Sequence, residues 1–514
     1  MSRQYVTTAI DYPNAPKPHM GQILEKVLAD VVARWFRLRG DEVRFQIGSD
    51  EHGVKIQRTA EKEGISPKEM VDRNVPNFAD LYRRVNISYD EPDGFIRTTD
   101  QKRHWPTVIE LWKKLAQAGT LEKRTYTGLY CQGCERFLTK RDIVDGKCPI
   151  HNSVPEKISE ENWFFLLGKE SKWLKELLTK KKNGYRIVPD SRANETLSLI
   201  EQGLEDVSFS RPKTSLGWGI PVPDDPDQVM YVWCDALTNY ISGLGFFTAN
   251  ERREFWDEAE VTHVIGKDIA RFHALIWPAM LKHAGVRTPD RLLIHGFLTS
   301  DGQKMSKTIG NVVDPEEVLK RFTGNPDPLR FYLSHEIPVG NDGDFSWKRI
   351  EELYDSKLRN QLGNLLNRVL VLLKKESAFN VPDTQPDSER ASEGWKKYSE
   401  SMDSFELHLG ISQAMELVET LNQGIDHIKP WTLKGVEKLE VLCRFAESLR
   451  HVALKMLPFV PSTAQDISRQ LGVPYAEKML DRDFVITPEL REWGSQKAWK
   501  AVGEPKILFP PLEK

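Results

Sequence analysis

The apolar positions of the first fifty residues change period twice. Residues 4–10, Gln-Tyr-Val-Thr-Thr-Ala-Ile, are rich in β-branched side chains and predict a strand. A turn rich in Pro and Asn follows, ending at Gly21. From Gln22 to Leu38 the apolar residues Leu24, Leu28, Val31, Trp35 and Leu38 recur at helical spacing, and Gly40 is placed to end the helix. Residues 43–48, Val-Arg-Phe-Gln-Ile-Gly, predict a second strand. Strand, helix and strand within about 45 residues make a βαβ unit. The fold class is therefore α/β, a parallel sheet with its site at the carboxyl ends of the strands.

Residues 118–225 break this rhythm. They hold a Cys/His cluster, the basic run Lys180–Lys182 and many turn residues, which reads as an insertion. Sheet-type segments resume at 229–233, 261–266 and 292–297. After about Asp344 the pattern becomes long and amphipathic, with helices expected over 351–375, roughly 400–427 and 433–457. The Pro/Ser/Asp/Glu-rich stretch 380–394 reads as an exposed connector within a helical bundle. The stretch from Trp493 to Pro510 reads as a tail packing back on the body, with no appended module.

Composition narrows the picture. A chain of 514 residues implies two to four domains. It has no apolar run of about 18 residues and no apolar signal core at its start, so no membrane partner is expected and the cytoplasm is the default location. A net charge of −3 means that any nucleic-acid footprint is local. Lys348, Arg349, Lys357 and Arg359 are candidates for it.

The five cysteines are odd in number, and Cys131, Cys134 and Cys148 fall within 18 positions. That favours metal ligation over disulfides. Cys131-Gln132-Gly133-Cys134 and Cys148-Pro149-Ile150-His151 are two knuckles separated by 13 residues, the spacing of a tetrahedral Cys₃His zinc site. With no evident open position the zinc reads as structural, folding a small insertion with little core of its own.

Two further segments carry chemistry. Pro18-His19-Met20-Gly21-Gln22 lies between the first strand and its helix, where bound phosphate would meet backbone N–H groups and the positive end of the helix dipole. Lys304-Met305-Ser306-Lys307-Thr308 follows the turn Asp301-Gly302 and sets two lysines three apart on a loop, both able to reach a polyphosphate. The two segments stand about 285 residues apart. Alone, the first reads as readily as a surface histidine and the second as a solvated basic loop.

Together they resemble the H-x-G-H and K-M-S-K-S signatures of class I aminoacyl-tRNA synthetases. That resemblance implies a Rossmann-type catalytic domain in which a substrate carboxylate attacks the α-phosphate of ATP, accompanied by Mg²⁺. His19, Gln22, Lys304 and Lys307 would then be catalytic, with Pro18, Gly21, Met305 and Ser306 lining the ATP site. The protein supplies alignment and positive charge, not a nucleophile.

Over nearly the whole length the chain is similar to the methionyl-tRNA synthetase family. Thr7-Thr8-Ala9-Ile10-Asp11-Tyr12 resembles the strand that lines the amino-acid pocket, which implicates Ile10 and Tyr12. Gly48-Ser49-Asp50-Glu51-His52-Gly53 resembles the segment whose Asp, here Asp50, holds the substrate ammonium. Tyr231 through Leu237 resembles the segment of the pocket tryptophan, Trp233, with Ala236, Leu237 and Tyr240 beside it. Gly266-Lys267-Asp268-Ile269 with Phe272-His273 resembles the stretch that meets adenosine through Gly266 and Asp268 and closes on the thioether. An aromatic pocket suits methionine, whose polarizable sulfur packs well against ring edges.

The resemblance also implies an organisation: catalytic residues 1–117 and 226–325, a zinc-bearing connective insertion at 118–225, a stem-contact linker at 326–358 that supports the lysine loop, and an α-helical bundle anticodon-binding domain with its tail at 359–514. Asn364, Arg368 and Trp431 would be the anticodon contacts. The implied partners are tRNA(Met), L-methionine and ATP, and a monomer is expected. The family usually has His where Gln22 stands, and the turn before His19 is one residue longer than usual. Those departures leave a catalytically weakened tRNA-binding protein as one alternative, and a class I synthetase for another small apolar amino acid as a second.

Overall fold

Six strands join into one parallel sheet: β1 (Arg3–Thr8), β2 (Glu42–Ser49), β3 (Phe95–Arg97), β4 (Arg186–Val188), β5 (Ala259–Gly266) and β6 (Arg291–His295). The computed structural model describes residues 2–131, 136–138, 142–149, 152–180, 184–249, 251–300, 302–304, 311–375, 379–380, 385–496, 498–499 and 505–513. The strand order is β3-β2-β1-β5-β6-β4. The chain winds outward from β1 in one direction through β2 and β3, then returns to pair β5 against the other side of β1, Arg3 opposite Ala259. The β1/β5 seam is thus the switch point at which doubly wound sheets open a crevice.

Alternation along β1 sends Tyr5 into one apolar layer and Val6 into the other. The Val6 layer runs without a break through helix α1 (Met20–Leu38) into the carboxyl-terminal helices, so catalytic sheet and bundle share one core. The other layer takes α2 (Trp105–Gln117) and α3 (Val232–Leu237). Between them in sequence, an antiparallel sheet pairs Leu121–Cys131 with Glu156–Phe165, Leu121 opposite Phe165. Its neighbour Arg186–Val188 is β4, an edge strand of the main sheet lying inside the span read as insertion. Three residues are too few to show a period.

The sequence pattern needs correction at two places. Residues 229–233 do not form a core strand: the strand Asp225–Met230 belongs to a small antiparallel sheet, and Tyr231 caps α3, so Trp233 lies on a helix. The run of apolar residues did not distinguish a buried short helix from a strand. The connector expected over 380–394 is mostly helix, because Trp395 and Tyr398 are buried and draw α6 (Gln385–Asp403) onto the bundle. Before it come α4 (Asp327–His335) and α5 (Asn364–Leu373), and after it α7 (Leu407–Ile428), α8 (Gly435–Met456) and α9 (Pro461–Leu471). Among the described residues no helix is long and apolar enough to cross a membrane.

Sixteen of the nineteen residues of α1 are buried, including Glu25, Lys26, Asp30 and Arg37. Asp30 forms the joint with the bundle. Its Oδ2 accepts from Arg330 on α4 at 2.7 Å and from Arg34 at 2.7 Å, and its Oδ1 accepts from the Ser88 N–H and hydroxyl. Arg330 is fully buried and uses all five of its N–H donors. Besides Asp30 they reach Phe459 O at 2.8 Å, Pro458 O at 3.0 Å, Val85 O at 3.2 Å and Asn86 O at 3.3 Å. Burial raises the Asp30 carboxyl, but the two guanidinium groups outweigh it and hold the group down at about 2. In the bundle, burial likewise opposes and His451 and Arg450 more than offset, leaving Glu447 at about 2. Arg450 also bonds Leu490 O at 2.7 Å and Glu492 O at 3.1 Å, and Tyr354 donates to Pro510 O at 2.7 Å, so the tail is fastened to the body.

Replacing Arg330 with Met should cost about 3–5 kcal/mol, because it leaves a buried carboxylate and four carbonyls short of donors. The readout is the urea midpoint of the variant, and an unchanged midpoint would contradict the joint. Acid provides a second check. Asp30 and Glu447 titrate near 2 when folded, against roughly 4 when unfolded. Their contribution is therefore fully present above about pH 4 and is lost as pH falls toward 2, on the order of 2 kcal/mol for Asp30. Asp30→Asn should flatten that part of the acid-unfolding curve.

Candidate active site

His19 is the N-cap of α1 at the carboxyl end of β1. Its Nδ1 accepts the Gln22 N–H at 3.3 Å, and Gln22 Oε1 accepts the His19 N–H at 2.9 Å, a reciprocal capping box. The arrangement fixes His19 as the tautomer with a proton on Nε2. With Oε1 in the cap, the amide N–H₂ of Gln22 takes no part in it. A Cβ on Gly21 would lie 3.1 Å from His19 Cε1, so glycine lets the imidazole fold over the helix end. The departure at Gln22 thus serves the cap and retains a hydrogen-bond donor.

The flanks of the two signature segments lie close together. Lys17, in the longer turn before His19, bonds Asp314 at 2.5 Å and Glu316 at 2.8 Å, just beyond the lysine loop. On the near side of that loop, the Lys304 backbone pairs with Thr299, three residues past the strand-end neighbour Gly296 of β6. Met305, Ser306 and Lys307 lie outside the described residues, as does the Lys304 side chain.

Asp50 follows β2 and is buried, its N–H bonded to Asp11 O at 2.8 Å. Trp233 stacks on Phe272, ring centres 3.7 Å apart and planes 9° from parallel. Phe272 and His273 sit on a π-helical turn, Phe272–Ile276. Ala236, Leu237 and Tyr240 are buried beside them. The Tyr240 hydroxyl bonds His273 Nε2 at 2.6 Å, and His273 Nδ1 lies 3.0 Å from Ile269 O. A carbonyl only accepts, so Nδ1 carries the proton and Nε2 accepts from Tyr240. Burial pushes His273 down to about 4, so the imidazole is neutral near pH 7. The result is an aromatic, uncharged wall. Ile10 lies against Gly48, where a Cβ would come within 2.9 Å of its Cγ2. Tyr12 packs on a separate small cluster with Ile56 and Met70, under Lys55.

Beyond this wall Gly266 ends β5, and a Cβ there would meet Asp268 Oδ1 at 2.7 Å, so glycine lets the Asp268 carboxylate lie against the backbone. Beneath runs a charged floor that the sequence pattern did not reveal. Lys26 Nζ lies 2.8 Å from Asp11, 2.9 Å from Glu25 and 2.9 Å from Ala9 O, and Glu25 reaches His295 Nε2 at 3.4 Å. Burial favours a neutral Lys26, but Asp11 and Glu25 outweigh it and raise its pKa. Glu25 is in turn held below its ordinary value, burial being offset by Lys26 and His295. His52, Asp235 and His104, also without a role in the sequence reading, form a second buried network behind the pocket.

The metal candidates are partly visible. Cys131 and Cys148 are both 1% exposed and converge on Ser153, Cys131 Sγ lying 3.9 Å from its hydroxyl and the Cys148 N–H donating to its carbonyl at 2.9 Å. Among the described residues their apolar cluster holds just one other buried residue, Leu138, so a metal staple fits the need. Cys134 and His151 lie outside the described residues, and no set of three ligands occurs among the described ones. At the far end of the bundle Asn364 is exposed on α5, and Arg368, bonded to Asp426 at 2.6 Å, stands 5.7 Å from the ring of Trp431. Trp431 is 49% exposed. Of the basic residues considered for a local footprint, Arg349 and Arg359 are each paired with an acid, Glu336 and Asp355.

Comparison with known proteins agrees with this geometry. The family model for tRNA synthetases class I (M) matches residues 4–157 and 142–370. A methionine–tRNA ligase of Caldanaerobacter subterraneus subsp. tengcongensis is 39% identical over 523 residues, 99% of this chain and 79% of the relative. That of Brucella suis biovar 1 is 38% identical over 505 residues, 95% of each. The structure of Mycobacterium tuberculosis methionyl-tRNA synthetase in complex with methionyl-adenylate superposes with a TM-score of 0.88 at 33% identity, covering 99% of this chain and all of that one. The six-stranded parallel sheet, the capping box at His19 and the full-length similarity lead to one conclusion: the chain belongs to the methionyl-tRNA synthetase family of class I.

Proposed function

We propose that this protein activates L-methionine with ATP and transfers it to the 3′-terminal adenosine of tRNA(Met). The observation that carries the reading is a buried carboxylate, Asp50, whose segment is tied through His52 and Asp235 to a neutral aromatic wall formed by Trp233, Phe272, Tyr240 and His273. The ammonium group needs the first, and a flexible thioether is suited by the second.

In the first step the methionine carboxylate attacks the α-phosphate, a carbonyl–oxygen–phosphorus anhydride forms, and pyrophosphate leaves. In the second, the ribose 2′-hydroxyl attacks that anhydride and AMP departs. His19 Nε2–H, the Gln22 amide and the N-terminus of α1 offer donors where negative charge grows. We assign Lys304 and Lys307 to the pyrophosphate, with Pro18, Gly21, Met305 and Ser306 around the triphosphate and Gly266 and Asp268 toward the adenosine. Mg²⁺ brought with ATP would neutralise phosphate charge. Ile10, Tyr12, Ala236 and Leu237 complete the amino-acid side. A structural zinc on Cys131, Cys134, Cys148 and His151 would fold the insertion at 118–225, between catalytic portions 1–117 and 226–325. Residues 326–358 would support the lysine loop, and 359–514 would read the anticodon through Asn364, Arg368 and a stacking Trp431. The protein would act as a monomer in the cytoplasm.

Amino-acid-dependent ATP–pyrophosphate exchange tests this directly. Methionine should drive exchange, while leucine, isoleucine, valine and cysteine should not, and metal analysis of the same preparation should return about one zinc per chain. Asp50→Asn should raise the KM for methionine about 10- to 100-fold, since a charged hydrogen bond to the ammonium is lost. Gln22→His should keep exchange within a few fold. Background exchange with every amino acid would instead favour a tRNA-binding protein that has lost catalysis.

A further inference from the structure

We infer that His52, held with His104 on the carboxylate of Asp235, is a positioning residue that sets the distance between the two walls of the methionine pocket. The inference rests on the methionine reading of that pocket.

The two walls come from distant parts of the chain. Asp50 follows β2, whereas Trp233 lies on α3, and neither segment is paired with the other in a sheet. Two residues beyond Asp50 stands His52, and two residues beyond Trp233 stands Asp235. They meet across 183 positions of sequence: His52 Nδ1 lies 2.6 Å from Asp235 Oδ2. The other oxygen, Oδ1, lies 2.6 Å from His104 Nε2 at the start of α2, and His104 Nδ1 is 2.7 Å from the Ser242 hydroxyl. His52, Asp235 and His104 are 2%, 1% and 0% exposed. Each carboxylate oxygen therefore takes one imidazole N–H, and Asp235 becomes a two-sided clamp between the loop after β2, α2 and α3. Burial favours a neutral Asp235, but the two histidines more than offset it and keep the group ionised.

The His52 ring is itself held. It lies edge-on to Trp218 at 5.4 Å and tilted to Trp105 at 6.1 Å, while the Trp218 indole N–H donates to Glu51 O at 2.6 Å. Glu51 is fixed from beneath by Arg97 at 2.6 and 2.8 Å. The Asp50 loop is thus anchored on both flanks, and its single ionic link to the Trp233 helix is His52–Asp235 among the described residues. Charge-assisted hydrogen bonds at this distance in a buried site specify geometry tightly. His52 lies behind the pocket, so it acts through Asp50 and Trp233.

The test separates the two Michaelis constants in pyrophosphate exchange. His52→Phe keeps a ring against Trp218 and Trp105 but removes the donor. It should raise the KM for methionine by about tenfold or more, with the KM for ATP and kcat within about threefold of the parent. His52→Asn, whose amide nitrogen falls where Nδ1 was, should recover most of the loss. Should His52→Phe not fold, His104→Asn withdraws the second donor from the same carboxylate and is read in the same way. An unchanged KM for methionine, or equal rises for methionine and ATP, would overturn the inference. Failure of the parent protein to exchange with methionine would instead overturn the functional reading beneath it.

Discussion

A charge can be buried only where the fold brings it a partner, and helix α1 carries four charged side chains into the interior. Asp30 is met by Arg330 from α4, Lys26 by Asp11 from the end of β1, Glu25 by Lys26 and His295, and Arg37 by Asp90. Arg330, Asp11, His295 and Asp90 each come from a different region of the chain. The helix therefore cannot shift along its axis without stranding a charge in a low-dielectric core. This locks its N-terminus, and with it the cap formed by His19 and Gln22, against the carboxyl ends of β1 and β5. The same helix presents Trp35 and Arg39 to Asp403 of α6, each at 2.8 Å. The His19 cap and the helical bundle thus hang on one rigid element.

The crevice divides its labour by polarity. One side is a buried chain of charged contacts running from Asp11 through Lys26 and Glu25 to His295. The other is an aromatic wall with no ionised group, its histidine kept neutral by burial and by the direction of its two hydrogen bonds. A pocket that excludes charge and offers ring faces discriminates an apolar amino acid chiefly by shape, the regime in which small errors of wall spacing matter. Gln22 fits the same logic. It gives up the charge that a histidine can carry and completes the helix cap, while still offering an amide donor beyond it.

Much of this was legible in the sequence where the information is local. The strand–helix–strand opening, the signature at His19 and the amphipathic helices after residue 344 all appear as period and punctuation, and β1, α1 and β2 fall within two residues of their predicted limits. Long-range information was not legible. Glu25, Lys26 and Asp30 look like the solvated face of an amphipathic helix until α4 and the bundle cover them. Trp233 lies in a run of apolar residues that suits a strand as well as a buried helix. Nothing near Lys17 announces its bonds to Asp314 and Glu316, some 300 positions away. His52 stood in plain view inside a motif, but its partner Asp235 could be found only in the folded chain.

The most direct trial of the account is a crystal structure of the protein with a hydrolysis-resistant methionyl-adenylate analogue. The account predicts the ammonium on Asp50, the thioether enclosed by Trp233, Phe272, Tyr240 and His273, and the adenosine along Gly266 and Asp268 with the phosphate mimic before His19. An analogue found elsewhere, or bound in this crevice with its side chain directed away from the aromatic wall, would contradict it.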